Sequence, residues 1–286
     1  MSSRFQPEDF ASTRLTSKAE HDEYLQAMLK REVPVWMWKG MGIDFSNVDL
    51  AVEAMRLGHV GYLSAALPGH KEIEEQLQTV AQEGKRLNWE QRRQLSLAAN
   101  RRAIQGNIAA VREQMPHGIL GMNAMHAIGE YGEMVDETAK SSGVDILDQG
   151  AGIDRKLYRR IKEFPHLHDS PIVSSVKVAE FYITLAKKAG ERTSMFYYEN
   201  PLYAAAHLGA ENAEQAEDAE VFNAERFLNG IRKIDPEVPV VYGGGISYYK
   251  DIKWALDMGF DGIGVGTRGL LTQESGMPNA RILEDY

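Results

Sequence analysis

Two consecutive strand–turn–helix units near the carboxyl end constrain the fold of this chain more than any other feature. The first is the apolar run 239–242, which ends in the glycines 243–245 and precedes a helical span; the second is the run 262–265, which ends in Gly266 and Thr267. Glycine after a strand lets the backbone turn sharply and approach a ligand without an intervening Cβ. The N–H groups at the start of the next helix favour an anion. The two turns together therefore predict a phosphate cradle.

Six further short apolar runs precede these two, and helical patterns separate them. The eight predicted strands are 33–38, 59–63, 119–123, 144–147, 171–174, 194–198, 239–242 and 262–265. Apolar strands that alternate with helices are typical of a parallel sheet covered by helices. The pattern predicts one (β/α)8 TIM-barrel domain over residues 1–286, with the phosphate cradle after strands 7 and 8, where such barrels commonly bind phosphate.

Three segments depart from the regular alternation. Residues 1–30 are expected to form an N-terminal arm, which lies across the bottom of the barrel, and a helix. Residues 67–118 contain two helical patterns instead of one, which predicts a helical insertion between strands 2 and 3. Only 18 residues follow Arg268, so the eighth helix is expected to be short or missing, and a truncated C-terminus is one explanation.

The second helix of the insertion carries four arginines, which are Arg92, Arg93, Arg101 and Arg102. A charged run of this kind is typical of a solvated helix face. The alternative is a basic rim that receives an anionic substrate tail, such as the phosphopantetheine of a carrier protein.

Composition and charge narrow the classes of partner. The chain is 43% hydrophobic and 26% charged, as globular proteins are, and its net charge of −9 disfavours a nucleic-acid partner. It has no cysteine, which removes disulfides, thiolate nucleophiles and cysteine-based metal sites. No apolar run approaches 18 residues, and the N-terminus lacks the apolar stretch of a signal peptide. We therefore expect a cytoplasmic protein without a membrane span.

The predicted strand ends, where a TIM barrel builds its active site, are rich in glycine, amides and hydroxyls. They contain no Asp/Glu/His cluster at metal-ligand spacing, so no metal site is expected. A mostly neutral, hydrogen-bonding mouth with a phosphate cradle suits a bulky organic cofactor, which the protein orients and tunes.

Six segments that appear in order make this expectation more specific. They are residues 34–42, 121–123, 148–152, 199–201 leading to 206–209, 241–246 and 264–268. Together they resemble the nitronate monooxygenase family, formerly called 2-nitropropane dioxygenases, whose relatives include an FMN-dependent enoyl-ACP reductase. The resemblance covers roughly residues 34–272.

The resemblance implies a TIM barrel that binds FMN, with the phosphate held by the loops after strands 7 and 8. Backbone at 40–42 would lie against the isoalloxazine, and Asn123 and Gln149 would reach the polar edge of the flavin. The cofactor-binding positions that it implies are Gly40, Met41, Gly42, Asn123, Gln149, Gly150, Gly244, Gly245, Gly266 and Thr267. His207 corresponds to the family's histidine, which helps to bind or deprotonate the substrate beside flavin N5.

The chain also departs from the family pattern around the substrate. Ala204, Ala205 and Ala206 stand where the family has Ala-Gly-Gly before the histidine, and Tyr203 is the extra residue of a longer loop. The added Cβ atoms should narrow the pocket, so Tyr203 and Ala206 are expected to contact the substrate. Residues 36–39 of strand 1 also differ from the small or amide residues of the family.

Lys177, just beyond strand 5, is a candidate for binding a substrate carboxylate or flavin N1. The alternative is an exposed lysine at a helix start.

The leading hypothesis is an FMN-dependent oxidoreductase of the nitronate monooxygenase type. It would oxidise a small nitronate or a similar activated-carbon substrate with oxygen, and His207 would be the base or the electrostatic anchor. One alternative is an FMN-dependent enoyl-thioester reductase that uses NAD(P)H and an acyl carrier protein. Another is a flavin-free, phosphate-binding TIM-barrel lyase or isomerase, for which Lys177 and Glu199 would be the charged groups at the mouth. The last alternative is a barrel without catalysis that serves as a binding subunit. For the assembly, the expectation is a homodimer.

Overall fold

The computed structural model describes residues 5, 14–42, 44–203, 214, 217–218 and 222–277. Eight parallel strands form a closed barrel in which each strand pairs with its neighbours in the chain and β1 pairs with β8. The strands are β1 Val35–Trp38, β2 Val60–Ser64, β3 Leu120–Met125, β4 Ile146–Gly150, β5 His168–Val173, β6 Phe196–Glu199, β7 Val240–Gly243 and β8 Gly262–Val265. The predicted TIM barrel is confirmed.

Helices surround the barrel in the predicted order. They are α1 Lys18–Leu29, α2 Val48–Arg56, α3 His70–Gln82, α4 Trp89–Gln114, α5 Tyr131–Lys140, α6 Leu157–Glu163, α7 Val176–Ala189, α8 Ala224–Ile234 and α9 Tyr249–Met258. Both α3 and α4 lie between β2 and β3, as the insertion predicted. After β8, the described residues form a five-residue 3₁₀ helix, Thr267–Leu271, and no eighth barrel helix. None of the described helices combines the length and apolar character that a membrane crossing requires.

The barrel interior is a separate apolar cluster, and α1 closes its lower end. Leu25 and Met28 of α1 pack with inward-facing residues such as Val35 and Met37. Successive strand side chains point to opposite faces, so the tryptophans on either side of Met37 point outward. Trp36 stacks on His59, with 4.4 Å between ring centroids. These outward side chains therefore belong to the helix layer rather than to the pocket.

Ser46 with Asp49 three residues later resembles a capping box, which predicts Ser46 as the cap of α2. The structure differs. Asn47, not Ser46, caps the helix, because the Asn47 side chain accepts the N–H of Leu50 at 2.9 Å. Ser46 has another role: its hydroxyl accepts the N–H of Met41 at 2.8 Å and donates to the carbonyl of Lys39 at 3.1 Å. The serine therefore holds the loop that follows β1.

The buried face of α7 is rotated by about one position from the predicted stripe. The expected residues were Val178, Phe181, Tyr182, Leu185 and Ala189, whereas the buried residues are Ala179, Tyr182, Ile183 and Ala186. Two alanines on this face let the helix approach the sheet, and Phe181 turns outward beneath the guanidinium of Arg155. In α8, helical spacing in the sequence predicts one buried face of Ala224, Phe227, Leu228 and Ile231. This prediction is confirmed, since all four are buried.

The arginines of α4 form ion pairs. Arg93 pairs with Glu133 and Arg102 with Glu72, while Arg101 lies 3.8 Å from Glu137. Carboxylates on α3 and α5 thus compensate three of the four cations, which favours the solvated face over a basic rim for an anionic tail.

Candidate active site

A cavity of about 520 Å³ opens at the carboxyl ends of the strands. Nine of the ten predicted cofactor positions line it, together with Tyr203: Gly40, Met41, Gly42, Asn123, Gly150, Gly244, Gly245, Gly266 and Thr267. The Asn123 side chain donates to the carbonyl of Gly40 at 2.9 Å and so ties β3 to the β1 loop. The volume lies within the range of small-molecule and cofactor sites.

The other predicted site residues are placed differently. Gln149 is fully buried and does not line the cavity, because its amide donates to the carbonyl of Gly152 at 2.7 Å and accepts from the hydroxyl of Tyr182. It supports the turn after β4 instead of reaching the mouth. Lys177 is exposed on the first turn of α7, outside the cavity lining. Ala206 and His207 lie outside the described residues.

The loop after β7 has the backbone that a phosphate cradle needs. Gly244 and Gly245 have φ angles of 100° and 73°, which glycine adopts at little cost. Their N–H groups donate to no other described residue. Just before α9, Asp251 accepts the N–H groups of Ser247 at 3.0 Å and of the N-cap residue Tyr248 at 2.8 Å. These two amides are therefore closed to a ligand, whereas Tyr249 and Lys250, the first two residues of α9, donate their N–H groups to no other described residue. That the helix-start amides face the ligand stays a prediction.

Two nearby glycines serve packing rather than ligand binding. A Cβ at Gly243 would lie 1.8 Å from the hydroxyl oxygen of Tyr197, and one at Gly264 would lie 2.3 Å from its ring. Tyr197 points inward from β6 and is buried. The strand ends of β7 and β8 are thus glycine because an aromatic ring occupies the interior beside them.

Three charged side chains, Lys39, Asp148 and Glu199, meet beneath the cavity and are here called the charged floor. Lys39 forms an ion pair with Asp148, and the other oxygen of Asp148 accepts the hydroxyl of Tyr62 at 3.0 Å. The Lys39 ammonium lies 4.3 Å from the ring centroid of Tyr62 and 3.9 Å from that of Tyr197, within the range of cation–π attraction. Lys39 and Glu199 also line the cavity.

The environment shifts the proton affinities of the charged floor. Burial raises the pKa of Glu199 to about 7; the positive charge of Lys39 opposes this effect, and the negative charge of Asp148 adds to it. Burial lowers the pKa of Lys39, while its ion pair with Asp148 acts in the other direction. A carboxyl group that titrates near neutral pH at the bottom of a cavity is suited to proton transfer.

Lys39 and Asp148 were not expected among the residues of the site. The signal was present in the period of two along each strand. Val35 and Met37 face the interior, so Lys39 continues the inward series at the end of β1. The same period places Asp148 inward on β4 and Glu199 inward on β6.

The cavity fits FMN in two respects. A Cβ at Gly42 or Gly266 would meet no protein atom within 4 Å, so the space beside these glycines belongs to the cavity and not to packing. The N–H groups of Gly244, Gly245 and Gly266, which donate to no other described residue, are suited to phosphate oxygens. Within the described residues, no three His, Cys, Asp or Glu side chains form a group that could hold a metal ion.

Comparison with known proteins gives structural relatives only. No protein-family model matches the chain, and no curated protein matches its sequence. A mutant FabK from Thermotoga maritima superposes with a TM-score of 0.61 at 19% identity, over 94% of this chain and 71% of that one. FabK from the same organism gives 0.59 at 18%, over 88% and 63%.

A nitroalkane oxidase from Streptomyces ansochromogenes gives a TM-score of 0.57 at 17% identity, over 87% of this chain and 69% of that one. These neighbours agree with the resemblance inferred from the motifs. At such identities the likeness shows the TIM-barrel fold, and the chain spans about two thirds of the length of these relatives.

Proposed function

We propose that this chain is an FMN-dependent oxidoreductase that acts on a small nitronate or a similar activated-carbon substrate. The observation that carries the proposal is the cavity at the strand ends, where the β1 loop and the loops after β7 and β8 meet. Bound FMN would supply two-electron transfer to and from the substrate. The names of the structural neighbours, FabK and nitroalkane oxidase, are consistent with flavin chemistry on this fold.

The chain's own residues would bind and orient the two molecules. The loop amides of Gly244, Gly245 and Gly266 would hold the phosphate, and Thr267 adds a hydroxyl beside them. The β1 loop, which Ser46 and Asn123 fix in place, would support the ring system. The charged floor would lie under the reacting end, where burial strengthens electrostatic interactions.

The visible spectrum of the purified protein tests the cofactor, since oxidised flavin absorbs strongly in the blue and can be extracted and identified. Anaerobic mixing with a nitronate should then bleach the flavin, and oxygen should restore its colour. Rapid bleaching by NADPH, followed by reoxidation with an enoyl thioester, would instead support the reductase alternative. A homodimer, a carrier-protein partner and a cytoplasmic location remain predictions from the sequence.

One observation favours a second candidate, the flavin-free lyase or isomerase. That reaction class needs a lysine or a carboxylate pair facing the mouth, and the charged floor provides the lysine, because Lys39 lines the cavity. Protein that is colourless and does not take up added FMN would support this candidate over the first.

A further inference from the structure

Glu199 is held in a fixed position at the upper edge of the barrel. It is the last residue of β6, and its carbonyl accepts the hydroxyl of Ser174 at 2.9 Å. The next residue, Asn200, donates its N–H to Gly243 of β7 at 2.9 Å. A side chain carried on a strand end that is tied to both neighbouring strands is positioned more precisely than one on a loop.

The carboxylate of Glu199 differs from those of Asp145 and Asp261, which directly precede β4 and β8. Asp145 accepts the N–H of Leu120 at 2.9 Å, and Asp261 accepts the N–H of Val240 at 2.9 Å; both also pair with arginine. Glu199 faces the cavity, and no hydrogen bond joins its carboxylate to another described residue. Because a desolvated polar group needs a partner, this carboxylate is available to a ligand atom.

Protonation of Glu199 balances the charge of the floor. Lys39 and Asp148 compensate each other as an ion pair, so ionised Glu199 leaves one negative charge in excess, which burial disfavours. When Glu199 takes up a proton, the floor becomes neutral. A substrate that gives a proton to Glu199 therefore moves a negative charge out of the floor and onto itself.

We propose that Glu199 is the proton-transfer residue of this site and that its substrate is a carbon acid, with a C–H bond next to a nitro or carbonyl group. In the step, the C–H bond breaks, its electron pair stays on the substrate and delocalises into the electron-withdrawing group, and the proton passes to a carboxylate oxygen of Glu199. This inference deepens the proposed function and rests on it for the class of substrate. It gives Glu199 the proton-abstracting role that the family resemblance implied for His207.

Exchange of the α-protons of nitroethane in D2O tests the proposal. The purified full chain, with whatever flavin it retains, is kept anaerobic, and the α-proton signal is followed by NMR. Wild-type protein should exchange these protons faster than buffer, and Glu199→Gln should reduce the protein-catalysed rate by about a hundredfold, as loss of a general base does. Glu180→Gln, a matched change at an exposed position of α7, should leave the rate within about twofold of wild type.

The pH profile provides a measurement that does not depend on a variant. Exchange by wild-type protein should rise with pH as Glu199 ionises, with a midpoint near the pKa of about 7, and Glu199→Asp should retain part of the rate. Wild-type exchange at the buffer rate, or a Glu199→Gln rate equal to wild type, would overturn the proposal. If His207→Ala abolishes exchange while Glu199→Gln remains active, the proton-abstracting role belongs to His207 and not to Glu199.

The flavin content of the same samples separates this inference from the proposed function. Colourless protein that does not take up FMN but exchanges nitroethane through Glu199 would overturn the proposed function and leave the proton-transfer residue in place. Yellow protein whose exchange does not depend on Glu199 would overturn the assignment of Glu199 as the proton-transfer residue and leave the proposed function in place.

Discussion

The hydroxyl oxygen of Tyr197 lies 1.8 Å from the place that a Cβ at Gly243 would occupy. The two residues are on adjacent strands, β6 and β7, and the ring also covers Gly264 on β8. Lys39 packs on the face of the same ring. Tyr197 therefore crosses the interior immediately below the cavity, and two glycines make its position possible.

Replacing Gly243 with alanine should destabilise the flavin-free protein, because the added methyl group overlaps the buried Tyr197. Overpacking of this kind typically costs about 1–3 kcal/mol, measurable by urea unfolding followed by circular dichroism. Gly266→Ala is the matched control, since its Cβ would meet no atom within 4 Å. Equal free energies of unfolding for the two variants would contradict this account of Gly243.

Gly266→Leu should lower FMN retention without changing the stability of the flavin-free protein, because the larger side chain enters the cavity where the phosphate is proposed to bind. Flavin content and a fluorescence titration with FMN would measure the effect. Gly245 is a poorer choice, since its φ of 73° would strain any other residue. Gly106→Leu, the same change on the exposed surface of α4, is the control and should leave FMN retention unchanged. If Gly266→Leu keeps its FMN, the assignment of the phosphate to this loop is wrong.

Lys39→Met should destabilise the protein strongly, because it leaves buried Asp148 without its cation. Breaking a buried ion pair on one side typically costs about 3–5 kcal/mol. The double variant Lys39→Met with Asp148→Asn should recover much of the loss, since no unpaired charge remains. A double-mutant cycle by urea unfolding would show this coupling, and additive losses would argue against it.

His21, on the helix that closes the barrel bottom, should make stability depend on pH. Burial alone would lower its pKa, but the hydrogen bond and charge of Asp145, 3.1 Å away, outweigh burial and raise the pKa above its usual value. The stabilisation is therefore complete below the unfolded-state pKa of about 6.5 and is lost as pH rises through the folded-state pKa. The free-energy difference between wild type and His21→Gln, measured by urea unfolding, should be larger at acidic than at alkaline pH. An equal difference at both pH values would contradict this account.

Local patterns predicted the barrel well because each strand and helix carries its own signal. The stripe on α8 was correct to the residue, and the glycine turns marked most of the cavity lining. The sequence could not show which groups meet across the barrel. Gly243 looked like part of a phosphate turn because the ring that it accommodates is on another strand.

The same limit explains one further error at the site. Gln149 was expected at the mouth, but its partner Tyr182 is on α7, far away in sequence. This outcome depends on a tertiary contact that periodicity does not contain.

Closure of the lower end of the barrel by α1 has a kinetic consequence. With Leu25 and Met28 filling that end, molecules that reach the charged floor enter and leave through the strand ends above it. If a cofactor occupies much of a 520 Å³ space, two further reactants would have to use the same opening in turn. The first product would then depart before the second reactant arrives, and initial-rate plots at varied concentrations of both reactants would give parallel lines.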